Sequence, residues 1–217
     1  RLLLLKELLS ATGSIYLHTD SHRTHHLRCL MDEVFGAEHF KNDIVWKRFN
    51  YRADGLKFGT VHDTILFYTQ SGTYTFEKPY VSYKSSYIRS HFRPDETGRL
   101  YRLDNLTAPS HGKPGKALRF GHHTISPPPG TMWRYSQDNL DELWNKGYIV
   151  IPDEGGVPQV KRYLDEIEGQ AVHSIWTRIS SINSQAIERT DYPTQKPEAL
   201  LERVLCASSR PGELVLD

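Results

Sequence analysis

One stretch of this chain, residues 192–217, constrains the fold more than any other. It contains a polar loop, a run with apolar side chains at helical spacing, a Pro-Gly pair, and an apolar triplet at 214–216 followed by Asp217. Proline fits the first position of a helix, where its missing N–H has no helical partner, so we expect Pro197 to open an amphipathic helix. The apolar positions of that helix are Leu200, Leu201, Val204 and Leu205. A short apolar run after it predicts a strand inside a parallel sheet, and therefore an α/β protein.

A strand followed by a helix is predicted near the other end of the chain. Residues 13–20 read Gly-Ser-Ile-Tyr-Leu-His-Thr-Asp, and alternation places Ile15 and Leu17 on one face and Tyr16, His18 and Asp20 on the other. We expect Ser21 to cap the next helix and Gly36 to end it. Its apolar positions are Leu27, Leu30, Met31 and Val34.

Four segments in this order resemble the permuted, beta-type N6-adenine and N4-cytosine DNA methyltransferases. They are residues 13–36, His62 to Ser71, Lys161 to Glu166 with Ile175-Trp176, and Thr194-Gln195-Lys196-Pro197 before the last helix. The resemblance implies an α/β, Rossmann-like fold dependent on S-adenosylmethionine, present in part, with an inserted target-recognition region. It divides the chain into residues 1–71, part of the catalytic fold, residues 72–190, the DNA-binding insertion, and residues 191–217, the start of the cofactor-binding part.

The family's catalytic tetrapeptide, Asp/Asn/Ser-Pro-Pro-Tyr/Phe, is expected upstream of residue 1. The proline run at 126–129 does not replace it, because it follows the third family-like segment and offers no aromatic ring in the fourth place. The Gly-rich turn that follows the strand's aspartate in that family is also expected outside the chain. We therefore expect the chain to be a fragment truncated at both ends. It would lack the catalytic residues and be inactive alone.

The resemblance also implies roles for particular residues. It places Thr194, Gln195, Lys196, Pro197 and Asp217 beside S-adenosylmethionine. Thr194 would offer a hydroxyl and Lys196 a positive charge to the methionine carboxylate, with the dipole of the helix N-terminus in support. His18 and Asp20 are candidates for the rim of the active site, since ligands of open α/β sheets bind at the carboxyl ends of strands. His62 is a further rim candidate.

The chain's charge is unevenly distributed. Residues 41–134 hold 15 lysines and arginines against 7 aspartates and glutamates, whereas residues 135–217 hold 8 against 14. Basic side chains release counterions from a phosphate backbone, so the basic half predicts a surface for double-stranded DNA. Its candidate contacts are Lys47, Arg48, Arg52, Lys57, Lys113, Lys116 and Arg119.

Two alternative functions remain open from the sequence. His22, His25 and His26 stand at helical metal-ligand spacing after His18 and Asp20, which would suit a metal-dependent phosphoester hydrolase using His18, Asp20 and His22. A DNA-binding specificity module without catalysis would also lack the catalytic motifs. The methyltransferase interpretation requires no metal, and it favours adenine N6 over cytosine N4 as the family's commoner acceptor.

Composition predicts a cytoplasmic protein. Hydrophobic residues make up 38% of the chain and charged residues 24%, and no run approaches the roughly 20 apolar residues that cross a membrane. Expected partners are DNA, a second copy in a homodimer, or a cognate restriction subunit.

Overall fold

The computed structural model of the protein describes residues 1–50, 55–112, 115–152, 156–190 and 192–217. The chain forms two compact units. The first combines Arg1–Tyr80 with Ala171–Asp217, and the second consists of Val81–Gln170. The predicted insertion, residues 72–190, extends beyond the second unit at both ends in sequence.

The elements are named in chain order. The helices are α1 (Leu2–Leu8), α2 (Thr24–Phe35), α3 (Ser85–His91), α4 (Gln137–Asn145) and α5 (Glu198–Ser208). Two short 3₁₀ helices span Ala37–His39 and Leu164–Glu166. The strands are β1 (Ser14–Thr19), β2 (Phe40–Lys47), β3 (His62–Thr69), β4 (Tyr80–Val81), β5 (Arg93–Pro94), β6 (Leu100–Asn105), β7 (Thr107–Pro109), β8 (Leu118–Phe120), β9 (His123–Ile125), β10 (Thr131–Trp133), β11 (Ile149–Val150), β12 (Gln159–Tyr163), β13 (Gln170–Ala171) and β14 (Ile175–Trp176).

A four-stranded sheet organises the first unit. Its order is β1-β3-β2-β14, with β3 antiparallel to both of its neighbours and β14 parallel to β2. Strands β1, β2 and β14 therefore run in one direction, and β3 alone is reversed. The carboxyl ends of β1 and β2 thus share an edge of the sheet with the beginning of β3.

Helices cover both faces of this sheet. Alternation along β1 sends Ile15 and Leu17 to the face where α1 and α2 pack, around a core of Met31, Phe35, Leu66 and Tyr68. The opposite face carries Trp46 and its neighbours and is covered by α5 through Leu200. The two faces of β1 were predicted from its period of two, and the unit is a mixed α/β structure.

The start of α2 differs from the prediction. Ser21 does not cap it, because the helix begins at Thr24 and the side chain of Asp20 accepts the backbone N–H groups of His22 at 3.0 Å and Arg23 at 3.3 Å. An aspartate before a helix forms this kind of turn readily. Gly36 ends α2 as predicted, with a φ of 96° that favours glycine.

The end of the chain also differs from the prediction. Leu200 of α5 is buried, but Leu201 and Leu205 are 40% and 39% exposed. Residues 214–216 form no strand, and the side chain of Leu214 is 98% exposed. An apolar run becomes a strand only when a neighbouring strand accepts its hydrogen bonds, and none of the described strands lies beside these residues.

The second unit has a core of its own. An antiparallel sheet in the order β11-β12-β6-β5, the hairpin β8-β9 and helix α4 surround five buried residues. They are Leu106, Phe120, Trp133, Leu140 and Val160. Helices α3 and α4 both belong to this unit. Ser136 caps α4 by accepting the N–H of Asn139 at 3.4 Å.

Helix length is relevant to membrane crossing, because a helix must be long and apolar to span a bilayer. Across the described ranges, no helix combines the length and the apolar character that crossing a bilayer requires.

Candidate functional site

The sheet edge in the first unit brings polar side chains of three strands together. Register places Asp63 of β3 opposite Trp46 of β2, and His18 of β1 opposite Ile65. Side chains two residues apart on a strand share a face, so His18, Trp46 and Asp63 all lie on the face that α5 covers. Ligands of α/β proteins bind beyond the carboxyl ends of strands that run in one direction, which makes this edge the candidate site.

Asp63 is the buried centre of the site. The residue is only 5% exposed, and its Oδ2 atom lies 2.8 Å from Nε2 of His18. The same oxygen accepts a hydrogen bond from Nη1 of Arg48 at 2.9 Å. A buried carboxylate is strongly unfavourable unless it is paired and hydrogen-bonded. Two partners from two other strand ends satisfy that requirement here.

His18 is held as a largely neutral ring. Burial lowers the pKa of its imidazole below the ordinary 6.5, although the hydrogen bond and charge of Asp63 act to raise it. The positive charges of Lys196 and Arg48 lower that pKa further. Because Asp63 accepts at Nε2, the proton of the neutral ring sits on that nitrogen. The edge of the ring also meets Trp46, at 5.7 Å between centroids.

Arg48 is fixed along its length. Its backbone N–H donates to the carbonyl of Val61 at 2.9 Å, and its own carbonyl accepts from the hydroxyl of Ser181 at 3.2 Å. The guanidinium carbon lies 5.0 Å from the ring centroid of Phe49 and 5.9 Å from that of Trp46. Among the described residues, Nε of Arg48 is buried and has no hydrogen-bond partner. The guanidinium thus keeps donor capacity beyond the bond to Asp63.

A pocket of about 330 Å³ opens at this edge. Its described lining residues are Asp20, Ser21, His22, Arg48, Phe49, Lys57, Thr60, His62 and Asp63. Two of the three predicted rim residues, Asp20 and His62, line the pocket. The third, His18, is not in the lining, but it is hydrogen-bonded to Asp63, which is. Two predicted DNA contacts, Arg48 and Lys57, are also in the lining.

The loop before α5 is braced by the side chain of Gln195. Its Nε2 donates to the carbonyl of Glu188 at 2.5 Å, and its Oε1 accepts from the backbone N–H of Thr190 at 2.8 Å. Lys196 turns its Nζ back to the carbonyl of Thr194. Thr194 is exposed, and Pro197 is buried. Both polar atoms of the Gln195 amide therefore form hydrogen bonds that hold the loop together.

The N-terminus of α5 already has an anionic partner. Oε2 of Glu188 accepts the backbone N–H of Glu198, the first residue of the helix, at 2.8 Å. A carboxylate at that position also interacts favourably with the helix dipole. The helix dipole that we expected to support a cofactor carboxylate thus already has Glu188 beside it. Asp217, the remaining predicted cofactor contact, is exposed at the end of the chain.

The other predicted DNA contacts are scattered. Lys47 ends β2, where it pairs in register with His62. Lys116 is exposed in the second unit, where Arg119 forms an ion pair with Asp141 at 3.1 Å. Arg52 and Lys113 lie outside the described residues.

The histidines proposed as metal ligands do not assemble a metal site. No group of three or more His, Cys, Asp or Glu side chains in the described ranges is placed to hold a metal ion. The rings of His25 and His26 lie against each other at an angle of 41°, with 3.9 Å between centroids, and His18 is hydrogen-bonded to Asp63. This geometry does not favour the metal-dependent hydrolase.

Comparison with protein families identifies the chain's relatives. The family model for N6/N4 DNA methylases matches residues 1–217, the full length of the chain. The chain belongs to this DNA methylase family. The resemblance found in its four sequence segments is thereby confirmed.

Three curated relatives of the chain are named as methyltransferases or as the Mod subunit of a restriction-modification enzyme. The chain is 30% identical over 220 residues to the type II methyltransferase M.EcaI of Enterobacter cloacae, covering 100% of the chain and 48% of the relative. It is 28% identical over 234 residues to the Mod subunit of the type III restriction-modification enzyme StyLTI of Salmonella typhimurium, covering 100% of the chain and 35% of the relative. A segment of 30 residues, 14% of the chain, is 63% identical to 10% of the DNA adenine methyltransferase YhdJ of Escherichia coli. The chain thus spans about half the length of M.EcaI, and less of the others.

Two residues of the candidate site were not predicted from sequence. Asp63 carried a detectable signal, because it is a charged residue at the start of the apolar run of β3. Glu188 carried none, since its contact with α5 crosses ten residues of irregular chain.

Proposed function

We propose that the full-length gene product is a site-specific DNA methyltransferase that uses S-adenosylmethionine and acts in the cytoplasm. Besides the family membership, one observation supports this proposal. The charge of Lys196, in the loop resembling the family's cofactor loop, acts on His18 at the strand edge. Helix α5, which follows that loop, packs through Leu200 on the sheet face that carries His18 and Trp46, so the two regions expected to border the reaction lie on one side of the sheet.

The residues present fit part of a methionine-type ligand. Lys196 offers a cationic group and Thr194 an exposed hydroxyl, and both suit a carboxylate. Gln195 and Pro197 act differently in this proposal, since the first braces the loop and the second is buried before α5. S-adenosylmethionine would supply an activated methyl group. The task of these residues is to hold its carboxylate end still, so that the methyl group lies in line with the attacking nitrogen.

Adenine N6 is the favoured acceptor. The relative YhdJ, similar over a short segment, is named a DNA adenine methyltransferase. An exocyclic amino group inside a duplex is out of reach, so we infer that the target base is flipped out of the stack. The rim residues Asp20 and His62 would then border the space that receives it.

The finer fold assignment belongs to this proposal as well. Three strands in one direction beside a reversed one, with helices on both faces, suit part of a Rossmann-like methyltransferase sheet. Val81–Gln170 would be the inserted target-recognition region, since it leaves the first unit and returns to it with a core of its own. A restriction subunit is the proposed partner, because a Mod subunit is among the relatives. A homodimer is the other assembly to test.

Methyl transfer by the gene product tests the proposal directly. Incubated with S-adenosylmethionine and duplex DNA, the gene product should yield N6-methyladenine on mass spectrometry of the digested nucleosides. N4-methylcytosine would correct the acceptor alone. A gene product that binds duplex DNA but transfers no methyl group would be the non-catalytic module, and the proposal would be wrong.

The K196A variant tests the cofactor loop. Removing the ammonium group should weaken cofactor binding by about tenfold, since a hydrogen bond to a charged group contributes roughly 1.5–3 kcal/mol. DNA affinity should stay nearly unchanged. Calorimetry compares K196A with K146A, which removes an exposed lysine paired with Glu142 in the second unit. Equal cofactor affinity in the two variants would show that Lys196 does not bind the cofactor.

A further inference from the structure

We propose that Asp63 is a positioning residue that holds Arg48 so that its guanidinium binds a backbone phosphate of the DNA. This inference rests on the proposed function and adds to it a phosphate subsite at the sheet edge. Arg48 was predicted only as one of several cations for DNA, and Asp63 was given no role.

Burial and pairing carry the first step of the inference. Asp63 is 5% exposed, and one of its oxygens takes hydrogen bonds from two strand ends. An apolar residue could fill the same space without the cost of desolvating a charge. The carboxylate does what an apolar residue cannot, because it fixes the direction of the guanidinium through a charged hydrogen bond.

The second step concerns what remains free on Arg48. Its Nη1 is bonded to Asp63, while Nε is buried without a partner and Nη2 makes no ion pair or hydrogen bond in the described ranges. The side chain is 37% exposed and lines the pocket. Because Nε is buried, Nη2 is the donor that an incoming phosphate oxygen can reach, in a charge-assisted hydrogen bond.

The third step concerns the pocket around Arg48. Besides the arginine, hydroxyl and cationic donors of Ser21, Lys57 and Thr60 line it, and the ring of Phe49 forms an apolar wall. The carboxylate of Asp20 is also present, but it accepts two backbone N–H groups of the following turn. A phosphate flanked by a sugar and a base fits this mixture of donors and one aromatic ring.

A double-mutant cycle tests the role of Asp63. R48A should weaken binding to a fluorescent duplex about tenfold and reduce the slope of log affinity against log salt by about one. D63A should lose a comparable part of both, because the guanidinium is no longer directed at the phosphate. The double variant R48A/D63A should bind no more weakly than R48A, since Asp63 acts through Arg48.

Two further variants keep the test decisive. R28A removes another arginine paired with an aspartate, Asp32 on α2, and should leave the salt slope unchanged. D63N preserves the side-chain volume and replaces D63A in the cycle if the alanine variant does not fold. An unchanged slope in R48A, or losses in the double variant that simply add, would overturn the inference.

The wild-type protein separates this inference from the function on which it rests. Wild-type methyl transfer combined with an unchanged slope in R48A would reject the phosphate subsite alone. A wild-type protein that transfers no methyl group to DNA would reject the proposed function, whatever the slopes show.

Discussion

His18 shows how one residue balances opposing effects. Burial disfavours its charged form, while the carboxylate of Asp63 favours that form, and burial is the larger influence. The ring therefore stays neutral at a pH where an exposed histidine would begin to take up a proton. Its Nε2–H then serves as a steady donor to Asp63, which leaves Arg48 to supply the positive charge.

The lowered pKa of His18 predicts a pH-dependent stability. Below pH 6.5 the unfolded chain binds a proton that the folded chain does not, so stability falls as the pH decreases through that value. Above about pH 7.5 both states are neutral and the effect vanishes. H18Q, whose amide can still donate to Asp63, should show a smaller drop in melting temperature between about pH 7.5 and 5.5. H26Q changes an exposed histidine of α2 and serves as the control; equal drops in H18Q and wild type would contradict the assignment.

Only some of the site residues could be predicted from the sequence. His18, Asp20, His62 and Arg48 were identifiable because they stand at the ends of predicted strands or in a basic stretch. Asp63 was missed, although it is a charged residue at the start of an apolar run, because its importance comes from burial between two other strands. Burial of that kind depends on register, which a single sequence does not reveal.

At the scale of elements, local patterns succeeded and long-range pairing failed. Helices α2 and α5 follow from apolar spacing within one segment, and both occur close to their predicted positions. The strand at 214–216 was wrong because a strand depends on a neighbour elsewhere in the chain. The cap of α5 was missed for the same reason, as Glu188 is distant in sequence.

Glu188 gives a prediction at the start of α5. E188A should leave the N–H of Glu198 without its acceptor, which costs about 1 kcal/mol, the usual value of a helix cap. Hydrogen exchange measured by mass spectrometry should then be about fivefold faster in the first turn of α5. E188Q retains an oxygen acceptor and should recover most of the protection. E202A, which removes an exposed glutamate of the same helix, is the control, and equal exchange in E188A and E202A would argue against the cap.

The whole molecule consists of two units with separate cores. The core around Trp46 uses only residues of the first unit, and the core around Trp133 only residues of the second. The second unit leaves and re-enters the first at neighbouring points, because the N–H of Val172 donates to the carbonyl of Pro79 at 2.9 Å.

The separate core of the second unit predicts that this unit folds independently. Residues 81–170 expressed alone should unfold in a single cooperative thermal transition, since their buried residues contact one another. L140A should lower its midpoint, because truncating a buried leucine costs about 2–5 kcal/mol. E142A, on the exposed side of the same helix, is the matched control. A broad, non-cooperative melt would show that the second unit depends on the rest of the chain.

The reversal of β3 has a consequence for how this protein tolerates insertions and deletions. His18, Arg48 and Asp63 meet through strand pairing, and a slip of one residue in β3 would point Asp63 toward α2. Length changes within β2 or β3 should therefore abolish the cluster at once.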